Sequence, residues 1–478
     1  MMLEKDHRKA DRIQLLRYAA VDSLSAWGSW QLFNVVRFYA FKSTTGFQQL
    51  NRFLWNEKAL TVSVLVVVFW LILYTLSGYY HQPRRKTNLG DLLQTFFTTL
   101  IGSLCLFFLV LIDDYPESPE LYYSILLSIA GIHFGVTWFF RLLQTAPMVV
   151  RQSKGYCNVP VMVIGAGAEA ARLKADFNPN QSNSIYKLIG FIHLEEIETT
   201  LPAHEVLGGL DDLPSLIKKH QIEELILATD RSQLALNQTL LNRLYPLRLP
   251  VKAVASTQDL LSGKVSLFSL FGIPLVGLTP DRMPFWQQQV KHLLDRILSG
   301  LALLLLSPLF VYLIVRVRLD SPGSVWYCQQ RLGRDGKPFN MYKFRTMREQ
   351  AEALGPQLSF ANDPRVTSYG RFMRRYRLDE LPQFWNVLKG DMSLVGPRPE
   401  RQFFVDQIVK TAPHYYLLQQ VKPGITSWGM VKYGYAGTVE AMVRRLQYDV
   451  LYLENQSLLI DLKILAFTLK PLLTGKGV

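Results

Sequence analysis

Long runs of apolar residues dominate the first third of the chain. Residues 59–80, 92–112 and 121–140 are each about twenty residues long and almost free of charge. A helix rises about 1.5 Å per residue, so each run is long enough to cross about 30 Å of hydrocarbon. Residues 13–41 form a weaker run, which one aspartate and two arginines interrupt. The pattern predicts four transmembrane helices, with an interfacial helix as the alternative for the first.

Charged residues at the ends of these runs predict their orientation. The N-terminus is basic and the 81–91 loop carries two arginines and a lysine, whereas the 113–120 loop is acidic. Basic loops stay on the cytoplasmic side, so we expect both ends of this helical region, residues 1–150, in the cytoplasm. The 42–58 loop is also basic and agrees poorly with that orientation. No small-residue cleavage site follows the first run, so we expect no removable signal peptide.

Short apolar runs then alternate with helical stretches. Residues 159–164 predict a buried strand, and further apolar runs follow at 187–193, 222–228 and 249–254. Strands that alternate with helices indicate a parallel sheet. We therefore predict a cytoplasmic α/β domain of Rossmann-like fold over residues 151–285.

The turn after the first predicted strand is rich in glycine. Gly165 and Gly167, followed by Ala170, fit the spacing of a dinucleotide-binding turn. However, Ile192-His193-Leu194 stands where an acidic residue would end the second strand, and the chain has no Tyr-x-x-x-Lys motif. These features favour a cofactor-free scaffold or regulatory domain, and bound NAD is the alternative.

Residues 297–315 form another apolar run, nineteen residues without charge. Ser307-Pro308 lies near its middle, where proline removes a backbone donor and kinks a helix, and both flanks are basic. Basic flanks on both sides favour a helix that enters the membrane and returns to the same face. We predict a re-entrant helix at about 293–315 with its break at Ser307 and Pro308. A straight fifth span is the alternative.

Composition agrees with a membrane protein. Hydrophobic residues make up 49% of the chain, and Lys plus Arg exceed Asp plus Glu by 52 − 38 = 14. Apolar and basic together indicate a membrane protein with basic cytoplasmic faces, and no motif suggests nucleic acid as a partner. Three widely spaced cysteines fit neither a metal site nor a disulfide framework. His133, inside an apolar run, is interpreted as a packed polar residue.

Candidate chemistry is concentrated between residues 374 and 399. Asp379 and Glu380 are consecutive and follow a cluster of arginines that includes Arg374 and Arg375. A carboxylate can form an acyl-phosphate, and nearby cations or Mg²⁺ would neutralise phosphoryl oxygens. An acidic pair at the start of a helix is also ordinary capping chemistry, so both interpretations stay open at this point.

Two further groups of basic residues could contact phosphate. Pro397 and Pro399 fix the backbone on either side of Arg398, and a preorganised guanidinium suits bidentate contact with phosphate. Lys343 and Arg345 alternate with aromatic residues along a predicted strand. They could bind a nucleoside diphosphate, or they could be edge-strand charges.

These motifs stand together in a recognisable order. The segment from about 291 to 478 resembles the bacterial sugar transferase family, the monotopic polyprenyl-phosphate hexose-1-phosphate transferases. The matching residues are Asp295-Arg296, Ser307-Pro308, Lys343-Phe344-Arg345-Thr346-Met347, Asn362-Asp363-Pro364-Arg365, Leu378-Asp379-Glu380-Leu381-Pro382, Gly390-Asp391-Met392-Ser393-Leu394-Val395-Gly396-Pro397-Arg398-Pro399-Glu400 and Lys422-Pro423-Gly424. The helical front and α/β insert are similar to the large subclass that initiates surface polysaccharide synthesis.

The resemblance implies a two-step reaction in the inner membrane of a bacterium. Asp379 would attack the β-phosphate of a UDP-sugar, release UMP and form a phosphosugar–aspartate. Undecaprenyl phosphate would then accept the sugar phosphate. Glu380 would bind Mg²⁺ with Asp379, and Arg374 and Arg398 would contact phosphate. We therefore expect residues 286–478 to form a mixed α/β transferase domain on the cytoplasmic face, in contact with membrane lipids and compatible with a homodimer.

One departure and three alternatives qualify this expectation. Many members continue Gly-Trp-Ala-Gln-Val-Asn-Gly where this chain has Ser427-Trp428-Gly429-Met430-Val431-Lys432-Tyr433, so sugar specificity does not transfer. The rival functions are a membrane-tethered NAD-dependent nucleotide-sugar oxidoreductase and a non-catalytic polysaccharide assembly factor. A third alternative keeps the enzyme but makes Asp379 a metal ligand only.

Overall fold

The computed structural model of this protein forms a helical bundle, an α/β unit and a mixed C-terminal unit. It describes residues 2–40, 49–80, 86, 88–111, 119–153, 159–176, 186–229, 234–255, 275–278, 283–348, 351, 355, 357–358, 360 and 363–474.

The bundle is built from helices in the apolar part of the chain. They are α1 (Met2–Ala40), α2 (Leu50–Leu54), α3 (Glu57–Leu76), α4 (Asn88–Leu106, extended by a π-helical turn over Phe107–Leu111) and α5 (Pro119–Ser153). Three described helices are long and apolar enough to cross a membrane: α3, residues 88–109 and residues 120–150. They coincide with three of the predicted runs. The helix over the first run, α1, is not among them, so its crossing stays a prediction.

The bundle buries an ionic pair between its first and last helices. Arg141 Nε lies 2.9 Å from Asp22 Oδ1, and Arg141 Nη2 lies 3.0 Å from Asp22 Oδ2. Both side chains are 1% exposed. A guanidinium fork on one carboxylate is the geometry that best offsets the cost of burying two charges. Asp22, the aspartate that interrupts the first apolar run, therefore has its counter-ion, Arg141, on α5.

His133 on α5 also lies in the bundle core. Its Nδ1 is 2.6 Å from Ser29 Oγ, and its Nε2 is 2.6 Å from the Tyr74 hydroxyl. Its ring stacks on Trp70 at 3.7 Å between centroids. This packing agrees with the interpretation of His133 as a packed polar residue.

The middle unit is a six-stranded sheet in the order β3-β2-β1-β4-β5-β6. The strands are β1 (Val159–Ile164), β2 (Tyr186–His193), β3 (Val206–Gly209), β4 (Glu224–Leu227), β5 (Val251–Val254) and β6 (Leu275–Gly277), and the helices are α6 (Ala168–Asp176), α7 (Leu213–His220) and α8 (Leu234–Leu244). Strands β1 to β5 pair in parallel and β6 pairs antiparallel to β5. The predicted α/β region is therefore present.

The glycine-rich turn after β1 is covered by the chain that follows β2. Thr200 N donates to Ala166 O at 2.9 Å. A Cβ built at Gly167 would lie 2.7 Å from Ile197 Cγ2. Gly167 therefore allows the segment around Ile197 to approach the turn closely.

The C-terminal unit begins with a bent pair of helices, α9 (Phe285–Leu305) and α10 (Ser307–Asp320). Their axes differ by 62°. Pro308 has no N–H to donate to the carbonyl four residues before it, which is that of Leu304. Ser307 Oγ donates to Leu304 O instead, at 2.7 Å. The serine hydroxyl therefore compensates for the hydrogen bond that the proline removes.

The rest of this unit surrounds a small mixed core. It contains β7 (Trp326–Leu332), β8 (Pro338–Phe344), α11 (Ser368–Arg375), α12 (Gln383–Lys389), β9 (Ser393–Val395), α13 (Gln402–Thr411), β10 (Gly424–Thr426), α14 (Trp428–Lys432), α15 (Val439–Glu454) and α16 (Leu458–Thr474). Strands β7 and β8 form an antiparallel pair, and β9 pairs in parallel with β10. Helices α13 and α15 bury Phe404, Ile408 and Leu446 in the main core.

Candidate active site

The candidate active site centres on a 3-10 turn over Leu378–Glu380, between α11 and α12. Helix α11 begins where Thr367 accepts a hydrogen bond from Gly370 N and ends at Arg375. Arg377 then adopts a left-handed backbone with φ 54°, a conformation that non-glycine residues rarely take and that often occurs at functional sites. This reversal of the chain buries both Asp379 and Glu380.

Three cations surround the Glu380 carboxylate. Its Oε1 lies 2.8 Å from Lys343 Nζ and 3.2 Å from Arg398 Nη2, and its Oε2 lies 3.1 Å from Arg377 Nη1. Burial would raise the pKa of Glu380, but Lys343, Arg398 and Arg377 outweigh it and hold the pKa well below its usual value. Glu380 therefore stays ionised and joins three separate segments of the chain.

Asp379 has a different environment although it is the next residue. Among the described residues its carboxylate makes no hydrogen bond or ion pair, and the residue is 8% exposed. Burial raises the pKa of Asp379, and attraction to Lys343 offsets only part of that rise. A partly desolvated carboxylate without a fixed partner is more nucleophilic than one held in ion pairs. The two acids are thus suited to different tasks.

Strand β8 and helix α11 supply two of the basic side chains. Lys343 is placed by the β7–β8 pair, and burial lowers its pKa while attraction to Glu380 opposes that fall. Arg374 Nε donates to Thr346 Oγ1 at 2.9 Å. Both side chains line the same cavity as Asp379.

The loop after β9 supplies Arg398. Pro397 and Pro399 are buried on either side of it, and Pro397 O accepts a hydrogen bond from Gly424 N at 2.9 Å. Fixed proline backbone and a tethered carbonyl limit where the arginine can reach. Its guanidinium lies against Glu380 and lines the cavity.

One cavity of about 470 Å³ connects these groups. Its basic end has Lys343, Arg374, Arg377 and Arg398 beside the two carboxylates, and its other parts include the apolar side chains of Phe404, Met430, Ala436 and Met442. A cavity of this size with a few convergent charged groups is typical of a small-molecule site. The concentration of positive charge suits a phosphorylated ligand.

Other predicted site residues lie in different surroundings. Arg345 lines the cavity, but its guanidinium donates to the backbone carbonyls of Ser321 and Pro322. Arg375 is exposed, with its guanidinium 5.8 Å from the ring centre of Tyr376 and outside the cavity lining. Their roles in binding phosphate stay predictions. Ser307 and Pro308 form the bend between α9 and α10.

Few side chains are available as ligands for the predicted Mg²⁺ ion. Within the described part of the chain, no three His, Cys, Asp or Glu side chains come together as a metal-binding group. Mg²⁺ is usually held by one or two carboxylates together with water and substrate phosphate. Asp379 and Glu380 are carboxylates of that kind, but both Glu380 oxygens already lie in ion pairs, so binding of Mg²⁺ by the pair stays a prediction.

A buried triad of Arg331, Glu400 and Arg445 also lines the cavity and was not predicted from the sequence. Glu400 Oε2 lies 3.0 Å from Arg331 Nη1, and Glu400 Oε1 lies 2.6 Å from Arg445 Nη2. Burial would raise the pKa of Glu400, but Arg445, Arg331 and Arg398 together hold it below its usual value. A signal was available in α15, where Arg445 and Asp449 occupy the same helix face as buried Met442 and Leu446.

Comparison with known proteins identifies related chains. Residues 286–475 match the family model described as bacterial sugar transferase. A UDP-glucose:undecaprenyl-phosphate glucose-1-phosphate transferase from Escherichia coli (strain K12) is 33% identical over 322 residues, which are 66% of this chain and 68% of that protein.

Two other curated relatives align over shorter segments. A UDP-N-acetylgalactosamine-undecaprenyl-phosphate N-acetylgalactosaminephosphotransferase from Aeromonas hydrophila is 38% identical over 48% of this chain and 53% of its own length. A UDP-glucose:undecaprenyl-phosphate glucose-1-phosphate transferase from Xanthomonas campestris pv. campestris is 36% identical over 55% of each chain. The matched segments thus span about half the length of these two relatives.

Proposed function

Since this chain belongs to the bacterial sugar transferase family, we propose that it transfers a hexose-1-phosphate from a UDP-sugar to undecaprenyl phosphate and releases UMP. This would be the first membrane step in the synthesis of a surface polysaccharide. The observation that carries the proposal is the Asp379 carboxylate, buried without an ion pair among the described residues and lining one cavity with Lys343, Arg374 and Arg398. The names of the relatives support the same reaction class.

In the first step, an oxygen of Asp379 attacks the β-phosphorus of the UDP-sugar. A new bond joins that oxygen to phosphorus, and the bond between the β-phosphorus and the bridging oxygen breaks. UMP leaves with the bonding electron pair. Lys343, Arg374 and Arg398 line the cavity and would neutralise the phosphoryl oxygens as charge moves toward the leaving group.

In the second step, a phosphate oxygen of undecaprenyl phosphate attacks the same phosphorus. The bond between phosphorus and Asp379 breaks, which restores the carboxylate and gives an undecaprenyl diphosphate sugar. Two displacements at one phosphorus split a difficult transfer into two easier ones. Glu380 would keep Lys343, Arg377 and Arg398 in place through both steps, because its oxygens lie 2.8 to 3.2 Å from their nitrogens.

Asp379 would be the principal Mg²⁺ ligand of the predicted Asp379–Glu380 pair, because both Glu380 oxygens already lie in ion pairs. The metal would supply positive charge to the diphosphate oxygens. We also propose that the bent helices α9 and α10 enter and leave the membrane on its cytoplasmic face. The exposed apolar side chains of Leu304, Leu305 and Val311 near the bend support this placement.

The middle unit is better explained as a cofactor-free scaffold of Rossmann-like topology than as an NAD-binding domain. The parallel strand order supports that topology. The approach of Ile197 to Gly167 argues against a pyrophosphate at the glycine turn. An oxidoreductase function would need that site open.

A trapping experiment tests the proposal. The full-length protein in lipid nanodiscs is incubated with a panel of UDP-sugars labelled in the sugar, without undecaprenyl phosphate. We expect UMP release and protein-bound label in equal amounts, and transfer of that label to lipid when the acceptor is added. Asp379→Asn should abolish both signals, with a loss of more than about 10³-fold. Because burial raises the pKa of Asp379, the neutral asparagine should be tolerated by the fold.

Asp406→Asn, a change at an exposed aspartate on α13, is the matched control and should retain wild-type turnover. UMP release without labelled protein would make Asp379 a metal ligand only. Absence of UMP release with every UDP-sugar would favour an assembly factor. Absorbance changes with nicotinamide that Asp379→Asn leaves unchanged would favour the oxidoreductase.

A further inference from the structure

Helix α9 carries a buried polar stripe on one face. Lys291, Asp295 and Ser299 are spaced four residues apart and all are buried, so they follow one face of the helix. Leu294, Leu298 and Leu301 on the same helix are more than two-fifths exposed. A helix that presents leucines outward and buries charges inward must have a specific polar partner.

That partner is the short strand β9. Asp295 Oδ2 accepts a hydrogen bond from Ser393 Oγ at 2.7 Å, and Asp295 Oδ1 accepts one from Leu394 N at 3.2 Å. Lys291 Nζ donates to Val395 O at 2.8 Å. Two charged side chains of α9 therefore hold all three residues of β9.

Further contacts keep these two charges in place. Lys291 Nζ lies 2.5 Å from Asp461 Oδ2 on α16, and Asp461 Oδ1 accepts a hydrogen bond from the Tyr452 hydroxyl at 2.7 Å. Ser393 N donates to Pro423 O at 2.8 Å. The contacts of Lys291 and Asp295 with β9 are thus part of a buried hydrogen-bonded network, which is the arrangement that rigidifies a site. Among the described residues none bonds to the Ser299 hydroxyl.

Strand β9 runs directly into the loop that carries Arg398. Val395 is followed by Gly396 and Pro397, and a Cβ at Gly396 would lie 2.4 Å from Lys422 O. Neither the proline nor the crowded glycine leaves the loop freedom to absorb a shift of the strand. A displacement of β9 relative to α9 would therefore move Arg398 relative to Glu380, which it contacts at 3.2 Å.

We infer that Asp295 and Lys291 are positioning residues, which fix Arg398 in the active site to the membrane-facing helix α9 through strand β9. The inference rests on the proposed function for its activity readout. It assigns to α9 a second role beside contact with the membrane. Correct seating of this helix sets the distance between the Arg398 guanidinium and the phosphate under attack, and a misplacement of about 1 Å can cost about 100-fold in rate.

A double-mutant cycle in nanodiscs tests the inference. Asp295→Asn removes one of the two acceptor oxygens without changing the size of the side chain, and we expect kcat to fall at least about tenfold. Arg398→Lys replaces the preorganised guanidinium with an ammonium on a flexible stem. In that background Asp295→Asn should lower kcat by less than about threefold, because the guanidinium whose position Asp295 fixes is no longer present. Losses that multiply across the cycle would overturn the inference.

Two further variants separate a positioning role of Asp295 from a general loss of folding. Ser393→Ala removes only the hydroxyl that donates to Asp295, so it should show the same non-additivity with a smaller loss. Lys389→Met, at an exposed residue four positions before β9, is the matched control and should add independently to Arg398→Lys.

Hydrogen exchange gives a readout without turnover. Asp295→Asn should speed exchange of the amides from Ser393 to Arg401 while leaving those of α15 unchanged, and unchanged exchange at both places would overturn the inference. If the wild type releases no UMP, the proposed function fails, and the exchange measurement still decides whether α9 positions the Arg398 loop.

Discussion

Lys343 Nζ on strand β8 lies 2.8 Å from Glu380 Oε1 on the turn that also carries Asp379. This ion pair places the buried Lys343 ammonium near the proposed nucleophile, Asp379, but no hydrogen bond or ion pair joins Lys343 to Asp379. Lys343 therefore acts on Asp379 through the electrostatic field and on Glu380 by direct contact. Lys343 lowers the pKa of both carboxylates, but only Glu380 also contacts Arg377 and Arg398, so burial prevails at Asp379 alone.

Replacement of Lys343 should change the pH dependence of the first step. In the proposed mechanism Asp379 attacks as the carboxylate, so its pKa would set the acidic limb of the kcat/KM profile. Burial raises that pKa and Lys343 lowers it, so Lys343→Met should move the acidic limb to higher pH and reduce the plateau rate. UMP release measured between about pH 5 and 9 would show the shift. An acidic limb that stays in place, or moves to lower pH, would contradict the assignment of Asp379, and Lys389→Met serves as the control.

Glu400→Gln should destabilise the transferase unit. The change leaves the buried guanidiniums of Arg331 and Arg445 without their shared carboxylate, a loss of about 3–5 kcal/mol for a broken buried ion pair. The folded-state pKa of Glu400 is lowered. Its stabilisation is therefore present above the unfolded pKa of about 4.3 and is lost as the pH falls through the folded value.

Thermal unfolding as a function of pH measures this effect. The wild type should lose stability on the acid side more steeply than Glu400→Gln. Glu195→Gln, at an exposed glutamate of the α/β unit, should leave the unfolding temperature unchanged. Equal unfolding temperatures for Glu400→Gln and the wild type at neutral pH would rule out a structural role for the triad.

The buried pair in the bundle should show strong coupling between its members. Asp22→Asn leaves the Arg141 guanidinium, 1% exposed, without its counter-ion, at a cost of about 3–5 kcal/mol. Asp22→Asn combined with Arg141→Met removes both charges and should recover a large part of that loss. Yield and thermal stability in detergent provide the measurement. A double variant as unstable as the sum of the single ones would mean that the two charges do not stabilise each other.

Labelling of Cys328 should report the side of the membrane on which the transferase unit lies. Cys328 on β7 is exposed, and a variant in which Cys105 and Cys157 are replaced by alanine retains it as the single thiol. If α9 and α10 form a re-entrant pair, a membrane-impermeant maleimide should label it in inverted vesicles and not in intact spheroplasts. Labelling in spheroplasts alone would favour a straight fifth span. A permeant maleimide, which should label both preparations, is the control.

Several features could be predicted from the sequence because they depend on local patterns. Uncharged runs of about twenty residues locate α3, α4 and α5, and alternating apolar and helical segments locate the parallel sheet. Ser307-Pro308 marks the bend because proline lacks a donor wherever it stands in a helix. The resemblance to the bacterial sugar transferases, drawn from ordered motifs, is confirmed by the family match.

Helix ends were less predictable. The first predicted run covered 13–41, whereas α1 extends over Met2–Ala40, and the fourth covered 121–140, whereas α5 extends over Pro119–Ser153. Hydropathy identifies the part of a helix that suits hydrocarbon. A helix can continue past that part into charged sequence, because its backbone hydrogen bonds do not depend on the bilayer.

The sequence by itself determined which residues carry charge and how they are spaced along each element. Only the tertiary structure decided which of those charges meet: Glu380 with three cations, Asp379 with none of the described residues, and Arg345 with backbone carbonyls. The Asp295–Ser393 and Lys291–Asp461 contacts join residues 98 and 170 positions apart. The physical reason is that spacing along a chain fixes periodicity over a few residues, whereas the partner of a buried charge depends on how distant elements pack and exclude water.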